Sequence, residues 1–256
     1  MTVIPDGQQA DGPSIACVYD YLLGGSHNFA ADQEAARGFL ARWPDAPATM
    51  RANRAFLGRA VRHLAGQAGI RQFLDIGSGI PTMGNVHEIA QQAAPDTRVV
   101  YVDNDAVAVQ HSRAILARND NAIAIQADLR RPREILDDPQ LQDLLDLSRP
   151  AALLLVAILH FFPDSDEPAA LVAGLRDALA PGSSATRAAG SSESGKKCRI
   201  ATSSSAAGWD RSSRSRSWGL SRISRGRRKS AWTAIARSLR ARIARLCRTA
   251  TSSLST

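Results

Sequence analysis

The stretch "RQFLDIGSGIPTMGNVHEIA", residues 71–90, joins an apolar run to a glycine turn and then to a helical pattern. The apolar run ends at Asp75, a Gly-Ser-Gly turn follows, and the helical pattern begins near Gly84. Glycine allows positive φ and lets the backbone approach a ligand closely. The first turn of a helix presents N–H groups that suit polar or anionic ligand atoms. We therefore predict a strand, a ligand-binding turn and a helix, in that order.

Outward from this stretch, apolar runs alternate with segments of helical periodicity. We predict strands at Gln72–Ile76, Arg98–Asp103, Ala122–Gln126 and Ala152–Leu159. We predict helices at about 84–94, 105–118 and 133–146, and before the first strand at about 29–42 and 47–67. This alternation is typical of βαβ units and a parallel sheet. The prediction is an α/β, Rossmann-like fold whose strands all end at one edge, where ligands of such sheets bind.

Acidic residues end three of the predicted strands. Asp75 ends the first, Asp103 ends the second, and Asp128 follows the third. A carboxylate at the position of Asp103 can accept hydrogen bonds from both ribose hydroxyls of a nucleoside. Asp128 could accept a bond from the exocyclic amine of adenine. The three acids together favour a nucleoside pocket, although acids at strand ends also cap helices.

The spacing of the glycines decides between cofactors. A dinucleotide site would read G-x-G-x-x-G, but here Gly77 and Gly79 are followed by Thr82, and the next glycine is Gly84. No lysine precedes residue 183, so a P-loop is excluded. S-adenosyl-L-methionine, which has no phosphates, fits this turn better than a dinucleotide. The turn would hold its amino-acid end, with Asp75 near the amine.

Composition sets outer limits. Of the 256 residues, 44% are hydrophobic, which is enough for a domain-sized core. No apolar run reaches about 18 residues, so no membrane span is expected, and the N-terminal segment lacks the pattern of a secretory signal. Cys17, Cys198 and Cys247 fit no metal or redox spacing. We expect a cytoplasmic protein with reduced thiols, no bound metal and no membrane contact.

Several motifs together resemble one known family, the S-adenosyl-methionine-dependent methyltransferases once catalogued as a domain of unknown function and abundant in high-GC Gram-positive bacteria. The matching stretches are "PSIACVYDYLLGGSHNFAAD" (13–32), "RANRAFLGRAVRHLA" (51–65), residues 71–90, "VVYVDNDAVAV" (99–109), "QADLRRP" (126–132) and "LLLVAILHFFPD" (153–164). The resemblance covers about residues 10–182. It implies a class I methyltransferase fold and S-adenosyl-L-methionine as the cofactor, and it supplies no methyl acceptor.

The resemblance implies roles for individual residues. Those that fall on the cofactor-binding segments are Asp75, Gly77, Ser78, Gly79, Asp103, Asn104, Asp128 and Leu129. The N-terminal segment should close over the site as a helical cap. Its most plausible ligand contacts are Tyr19, Tyr21 and Asn28, and packing inside the cap is the alternative role of the two tyrosines.

His160 follows the fourth predicted strand, where methyltransferases commonly place groups that face the acceptor. Methyl transfer needs no metal, but a poor nucleophile needs a general base. Histidine, whose ordinary pKa is about 6.5, can take that role near neutral pH. We predict His160 as the catalytic base, with a structural imidazole as the alternative.

The sequence changes character at residue 183. Up to Gly182 it holds 15 Arg, no Lys and 22 acidic residues, a net charge of −7; from Ser183 it holds 17 basic and 2 acidic residues, a net charge of +15. We predict four segments: 1–12, disordered; 13–68, the helical cap; 69–182, an incomplete cofactor-binding domain; and 183–256, a basic Ser/Arg-rich tail. No strand is predicted in the tail, so the fourth strand should lack a neighbour on one side.

Three interpretations of the tail stay open: a nucleic-acid-binding arm, a solvated disordered extension, and translation in a shifted reading frame, which we favour. They correspond to three functions. The chain is an enzyme that methylates a small molecule, a protein that binds S-adenosyl-L-methionine but has lost catalysis, or a protein that contacts nucleic acid through its tail.

Overall fold

The structure, a computed structural model, describes residues 12–82, 84–188 and 203–204. Three helices come first: α1 (Ile15–Leu22), α2 (Ala30–Leu40) and α3 (Ala46–Gly66). Ser14 caps α1, because its side chain accepts a hydrogen bond from the backbone N–H of Cys17. Apolar side chains of the three helices pack into a cluster of their own, here called the cap cluster, which includes Val18, Leu22, Ala36, Phe39 and Met50.

A parallel sheet follows. Its strands are β1 (Gln72–Ile76), β2 (Arg98–Asp103), β3 (Ala122–Gln126), β4 (Ala152–Val156) and β5 (Ser184–Ala188). They lie in the order β3-β2-β1-β4-β5, and β6 (Ser203–Ser204) pairs with β5 in the antiparallel sense. The predicted α/β, Rossmann-like fold is confirmed, and the first three strands have their predicted bounds.

Helices cover both faces of the sheet: α4 (Val86–Ala93), α5 (Ala106–Leu116), α6 (Pro132–Leu136), α7 (Pro139–Leu144) and α8 (Pro168–Arg176). Successive strand residues point to opposite faces, so Phe73 packs on the α3 and α4 side while Leu74 packs on the α6, α7 and α8 side. The single helix predicted at 133–146 is wrong. Pro139 has no N–H to continue α6, so the segment forms two short helices.

The fourth strand is shorter than predicted. It ends at Val156 instead of Leu159, because Ala157 has a φ of 60°, in the left-handed region. A short 3₁₀ helix then spans Leu159–Phe161. Positive φ is costly for a residue with a β-carbon and is often found at functional sites. Because the chain changes direction at Ala157, His160 lies in the 3₁₀ helix beyond the end of β4 and not directly after the strand.

The prediction that no strand follows Gly182 is wrong. β5 pairs in parallel with all five residues of β4, so β4 has neighbours on both sides. Backbone hydrogen bonds do not depend on side-chain identity, so an open strand edge can recruit a polar segment. Ser184 and Thr186 occupy buried positions, where a strand in the interior of a parallel sheet ordinarily carries aliphatic side chains.

The predicted disordered N-terminus, residues 1–12, lies outside the described residues except for residue 12. Of the predicted basic tail, residues 183–188 and 203–204 alone are described. Among the helices of the described ranges, none is long and apolar enough to cross a membrane.

Candidate functional site

A cavity of about 460 Å³ lies between the carboxyl ends of the strands and the helices α1–α3. Its lining includes ten of the twelve predicted site residues: Tyr19, Asp75, Gly77, Ser78, Gly79, Asp103, Asn104, Asp128, Leu129 and His160. The structure therefore brings residues that are far apart in sequence to one place. It does not bring Tyr21 and Asn28 into the lining.

The glycine turn after β1 needs both of its glycines. Gly77 has a φ of +66° and Gly79 a φ of +61°, which residues with a β-carbon rarely adopt. A β-carbon on Gly77 would also overlap the side chain of Ile158. The Gly77 N–H donates to the carbonyl of Val102 at 2.8 Å, which fixes the turn against β2.

Asp103 ends β2 beside this turn. Its carboxylate accepts hydrogen bonds from the backbone N–H groups of Gly79, at 2.8 Å, and of Asp105, at 3.0 Å. Burial raises the pKa of Asp103, and these backbone donors oppose the rise. Because an ionised carboxylate offers about four acceptor positions, Asp103 can still accept hydrogen bonds from a ligand.

Asp75 is one of two deeply buried acids of the cavity, with 4% of its surface exposed against 3% for Asp20. Burial raises the pKa of Asp75 to about 7, while the positive charge of Arg54 lowers it. Arg54 lies on α3 and lines the same cavity. The sequence analysis missed Arg54, although its spacing of four residues from Met50 and three from Leu57 places all three on one helix face.

Asp128 has a partner within the protein. Arg130 donates to its carboxylate through the backbone N–H at 2.9 Å and through the guanidinium at 3.0 Å. The same guanidinium contacts Asp166 at 2.9 Å and lies 4.9 Å from the centre of the Phe162 ring. Asp128 is thus held rigidly at the cavity wall, next to the buried side chain of Leu129.

The cap is joined to the strand ends by two hydrogen bonds between side chains. The hydroxyl of Thr82, in the loop after the glycine turn, donates to Asp20 at 2.6 Å. The hydroxyl of Ser14 donates to Asp105 at 2.5 Å. Asp20 lines the cavity and was also missed by the sequence analysis. The sequence signal for Asp20 is the glycine pair that follows it: Gly25 lies so close to the Asp20 carboxylate that a β-carbon there would overlap it.

The predicted residues of the cap have different environments. Tyr19 lines the cavity, and its hydroxyl donates to the carbonyl of Met50 at 3.4 Å. Tyr21 packs against the cap cluster. Asn28 donates to the Asp20 carboxylate at 2.9 Å and so supports the loop between α1 and α2.

His160 lines the cavity from the opposite side, on the 3₁₀ helix after β4. Its ring centre lies 4.2 Å from that of Phe161. Burial lowers the pKa of His160 to about 4, so the imidazole is neutral at pH 7.

The donor and acceptor groups of the cavity match S-adenosyl-L-methionine. Asp103 offers acceptor positions for a ribose diol, and the wall at Leu129 offers an apolar surface for a base. The cavity also holds an acid, Asp75, that complements the cationic ammonium and sulfonium, and a cation, Arg54, that complements the amino-acid carboxylate. The residues present therefore fit this cofactor.

Comparisons with known proteins agree. A family model described as S-adenosyl methyltransferase matches residues 4–218, which extends beyond Gly182. A candidate methyltransferase from Thermobifida fusca YX is 45% identical, over 73% of this chain and 69% of that chain, with a TM-score of 0.68. A DUF574 family protein from Streptomyces avermitilis MA-4680 is 47% identical, over 70% and 69%, with a TM-score of 0.67. No curated protein matches the chain significantly.

The family model covers more than half of the chain, and its match agrees with the motifs, the sheet order and the cavity described above. The cofactor of this family is S-adenosyl-L-methionine, as the turn after β1 predicted. The chain belongs to the S-adenosyl methyltransferase family.

Proposed function

We propose that this chain transfers a methyl group from S-adenosyl-L-methionine to a small-molecule acceptor. The observation that carries the proposal is a single cavity that contains both the strand-end acids and His160, with the helical cap on its far side. The hydrogen bonds from Thr82 to Asp20 and from Ser14 to Asp105 hold the cap against that cavity. A volume of about 460 Å³ beneath such a cap suits a small molecule better than a group on a folded macromolecule.

Four residues of the cavity would hold the cofactor. Asp103 accepts hydrogen bonds from the ribose hydroxyls, and Leu129 packs against the adenine. Asp75 faces the ammonium, and Arg54 faces the carboxylate. The assignment is supported by the presence of an acid, Asp75, and a base, Arg54, in the lining of the same cavity. Tyr21 and Asn28 are left out, because the structure gives them partners in the cap.

The bound cofactor supplies a methyl group on a sulfonium sulfur, with a thioether as leaving group. With the cofactor bound, the acceptor's nucleophilic atom would form a bond to the methyl carbon as the sulfur–carbon bond breaks, and the electron pair of that bond would stay on sulfur. His160 takes the proton that the acceptor loses. Burial lowers the pKa of His160 to about 4, so its imidazole is uncharged at pH 7 and does not repel the sulfonium, but it is a weaker base than an ordinary histidine. The role of His160 as base therefore suits an acceptor whose own proton is easily lost. The chain's main contribution is to position the two reactants.

The assignment of Asp103 can be tested by calorimetry. We expect Asp103→Asn to bind S-adenosyl-L-methionine roughly 10- to 150-fold more weakly, because hydrogen bonds to a charged acceptor are lost. Asp96→Asn is the matched control, since Asp96 precedes the opposite end of β2 and is exposed. Equal affinities for the two variants, with both folded, would show that Asp103 does not bind the ribose.

Product formation tests the reaction itself. The full chain is incubated with the cofactor and with either the small-molecule or the macromolecular fraction of a Streptomyces avermitilis extract. We expect S-adenosylhomocysteine, measured by mass spectrometry, with the small-molecule fraction. Product with the macromolecular fraction alone would contradict the proposed acceptor class. Cofactor binding without product in either fraction would favour a protein that has lost catalysis.

A further inference from the structure

We propose that the methyl acceptor is a small, neutral and largely apolar molecule that binds in the cap side of the cavity. This inference rests on the proposed methyltransferase function and names the class of its acceptor. The cap side is the part of the lining contributed by α1–α3 and by Leu23 just after α1. Its apolar members include Val18, Leu22, Leu23, Phe39, Met50 and Leu57.

The cap side is made of hydrocarbon from three separate helices. Met50 and Leu57 come from one face of α3, Phe39 from α2 and Leu22 from α1. Leu22, Phe39 and Met50 also belong to the cap cluster, and each is buried. The cavity therefore extends into the interior of the cap. None of these side chains is needed to bind the cofactor, whose proposed contacts lie mainly at the strand ends.

Polar groups on the cap side already have partners. The hydroxyl of Tyr19 donates to the carbonyl of Met50. The carboxylate of Asp20 accepts from the backbone N–H of His27 at 2.8 Å, from Asn28 at 2.9 Å and from Thr82 at 2.6 Å. A strongly polar acceptor would give up its water here and gain few hydrogen bonds in return.

The charged groups of the cavity are likewise assigned. Asp75 and Arg54 complement the ammonium and the carboxylate of the cofactor. Arg130 pairs with Asp128 and Asp166. The two other acids that line the cap side and its border, Asp20 and Asp105, are occupied by hydrogen-bond donors of the protein: His27, Asn28 and Thr82 for Asp20, and Ser14 and Val107 for Asp105. A charged acceptor would therefore be buried without a counter-charge that is not already engaged. The acceptor that the lining suits is therefore neutral, with one nucleophilic atom on an apolar body.

The test uses 1-naphthol as an apolar probe with one hydroxyl, and myo-inositol as a polar probe. Both are titrated into the full chain saturated with S-adenosylhomocysteine. We expect 1-naphthol to bind roughly 100-fold more tightly than myo-inositol, because it buries its rings against the cap side. Equal affinities, or tighter binding of myo-inositol, would overturn the inference.

Substitutions at Leu23 locate the probe. Leu23 is half-buried, so Leu23→Trp can fill the cap side without disturbing a tightly packed position. We expect this variant to bind 1-naphthol about tenfold more weakly and S-adenosylhomocysteine within about twofold of the original chain. Leu23→Gln, which keeps the size but adds an amide, should weaken 1-naphthol binding by about fivefold. Leu40→Trp is the control, since Leu40 packs on the cap cluster outside the cavity lining.

The outcomes separate the two proposals. Unchanged 1-naphthol affinity in both Leu23 variants would overturn the acceptor site and leave the proposed function intact. Failure of the original chain to bind S-adenosylhomocysteine at all would overturn the proposed function, and this inference with it.

Discussion

At Asp75, burial and a nearby positive charge act in opposite directions on the pKa, and burial has the larger effect. Burial raises its pKa to about 7, so without a ligand the carboxyl is largely neutral below pH 7 and largely ionised above it. A cationic ligand group favours the ionised form. Binding the cofactor in acid must therefore expel a proton, whereas binding above pH 7 need not.

The affinity for S-adenosyl-L-methionine should accordingly depend on pH. We expect it to fall as pH drops from 7 to 5.5, by up to about tenfold per unit, and to be nearly constant above pH 8. Asp75→Asn should bind more weakly at pH 8 and show little of this dependence. Calorimetry at several pH values measures both effects. A flat profile in the original chain, or the same slope in Asp75→Asn, would contradict the proximity of Asp75 to the ammonium.

Some residues of this site could be predicted from the sequence and others could not. Asp75, Asp103 and the glycines could be predicted because they follow apolar runs that end at one edge of the sheet. Arg54 could not, because α3 carries several arginines and the fold alone selects the face that meets the cavity. Asp20 was missed because its partner, Thr82, is 62 residues away.

Among the elements, β5 forms because the backbone edge of β4 offers hydrogen bonds, and not because its own residues favour a buried strand. Its residues Ser184 and Thr186 are buried beside β4. Among the residues that the structure describes, the Thr186 hydroxyl has no hydrogen-bond partner. The absence of apolar residues after Gly182 predicted that no strand would form there. A strand forms nevertheless, because its backbone hydrogen-bonds to the edge of β4. Likewise, the end of β4 at Ala157 depends on a backbone angle that its apolar sequence does not reveal.

The unpaired hydroxyl leads to a stability prediction. Thr186→Val removes it and keeps the shape of the side chain, so we expect the chain to become more stable by about 1–3 kcal/mol. Urea unfolding monitored by circular dichroism measures the change. The matched control is Thr186→Ser, which keeps the hydroxyl and should give no gain. If Thr186→Val were less stable than the original chain, the hydroxyl would have a partner and β5 would be better satisfied than the structure indicates.

For the molecule as a whole, the apolar pattern does not indicate the order of the strands in the sheet, but it does indicate the edge at which the acids lie, since all parallel strands end there. In the part of the chain that the structure describes, the sheet continues past the step in net charge from −7 to +15 at residue 183 and adds β5. We propose that this step marks a change of reading frame. Sequencing the gene across codons 175 to 200 tests it, and an uninterrupted frame that is conserved in the relatives would contradict it.

The most direct test of the central claim is a calorimetric titration of the full chain at pH 8 with S-adenosyl-L-methionine and, separately, with NAD. The turn after β1 lacks the third glycine of a dinucleotide site, and the cavity it lines also holds the acids Asp75 and Asp103, which disfavour the negative charges of a pyrophosphate. We expect one S-adenosyl-L-methionine to bind per chain. We expect no binding of NAD at the concentrations at which S-adenosyl-L-methionine saturates the chain. Binding of NAD without binding of S-adenosyl-L-methionine would contradict it.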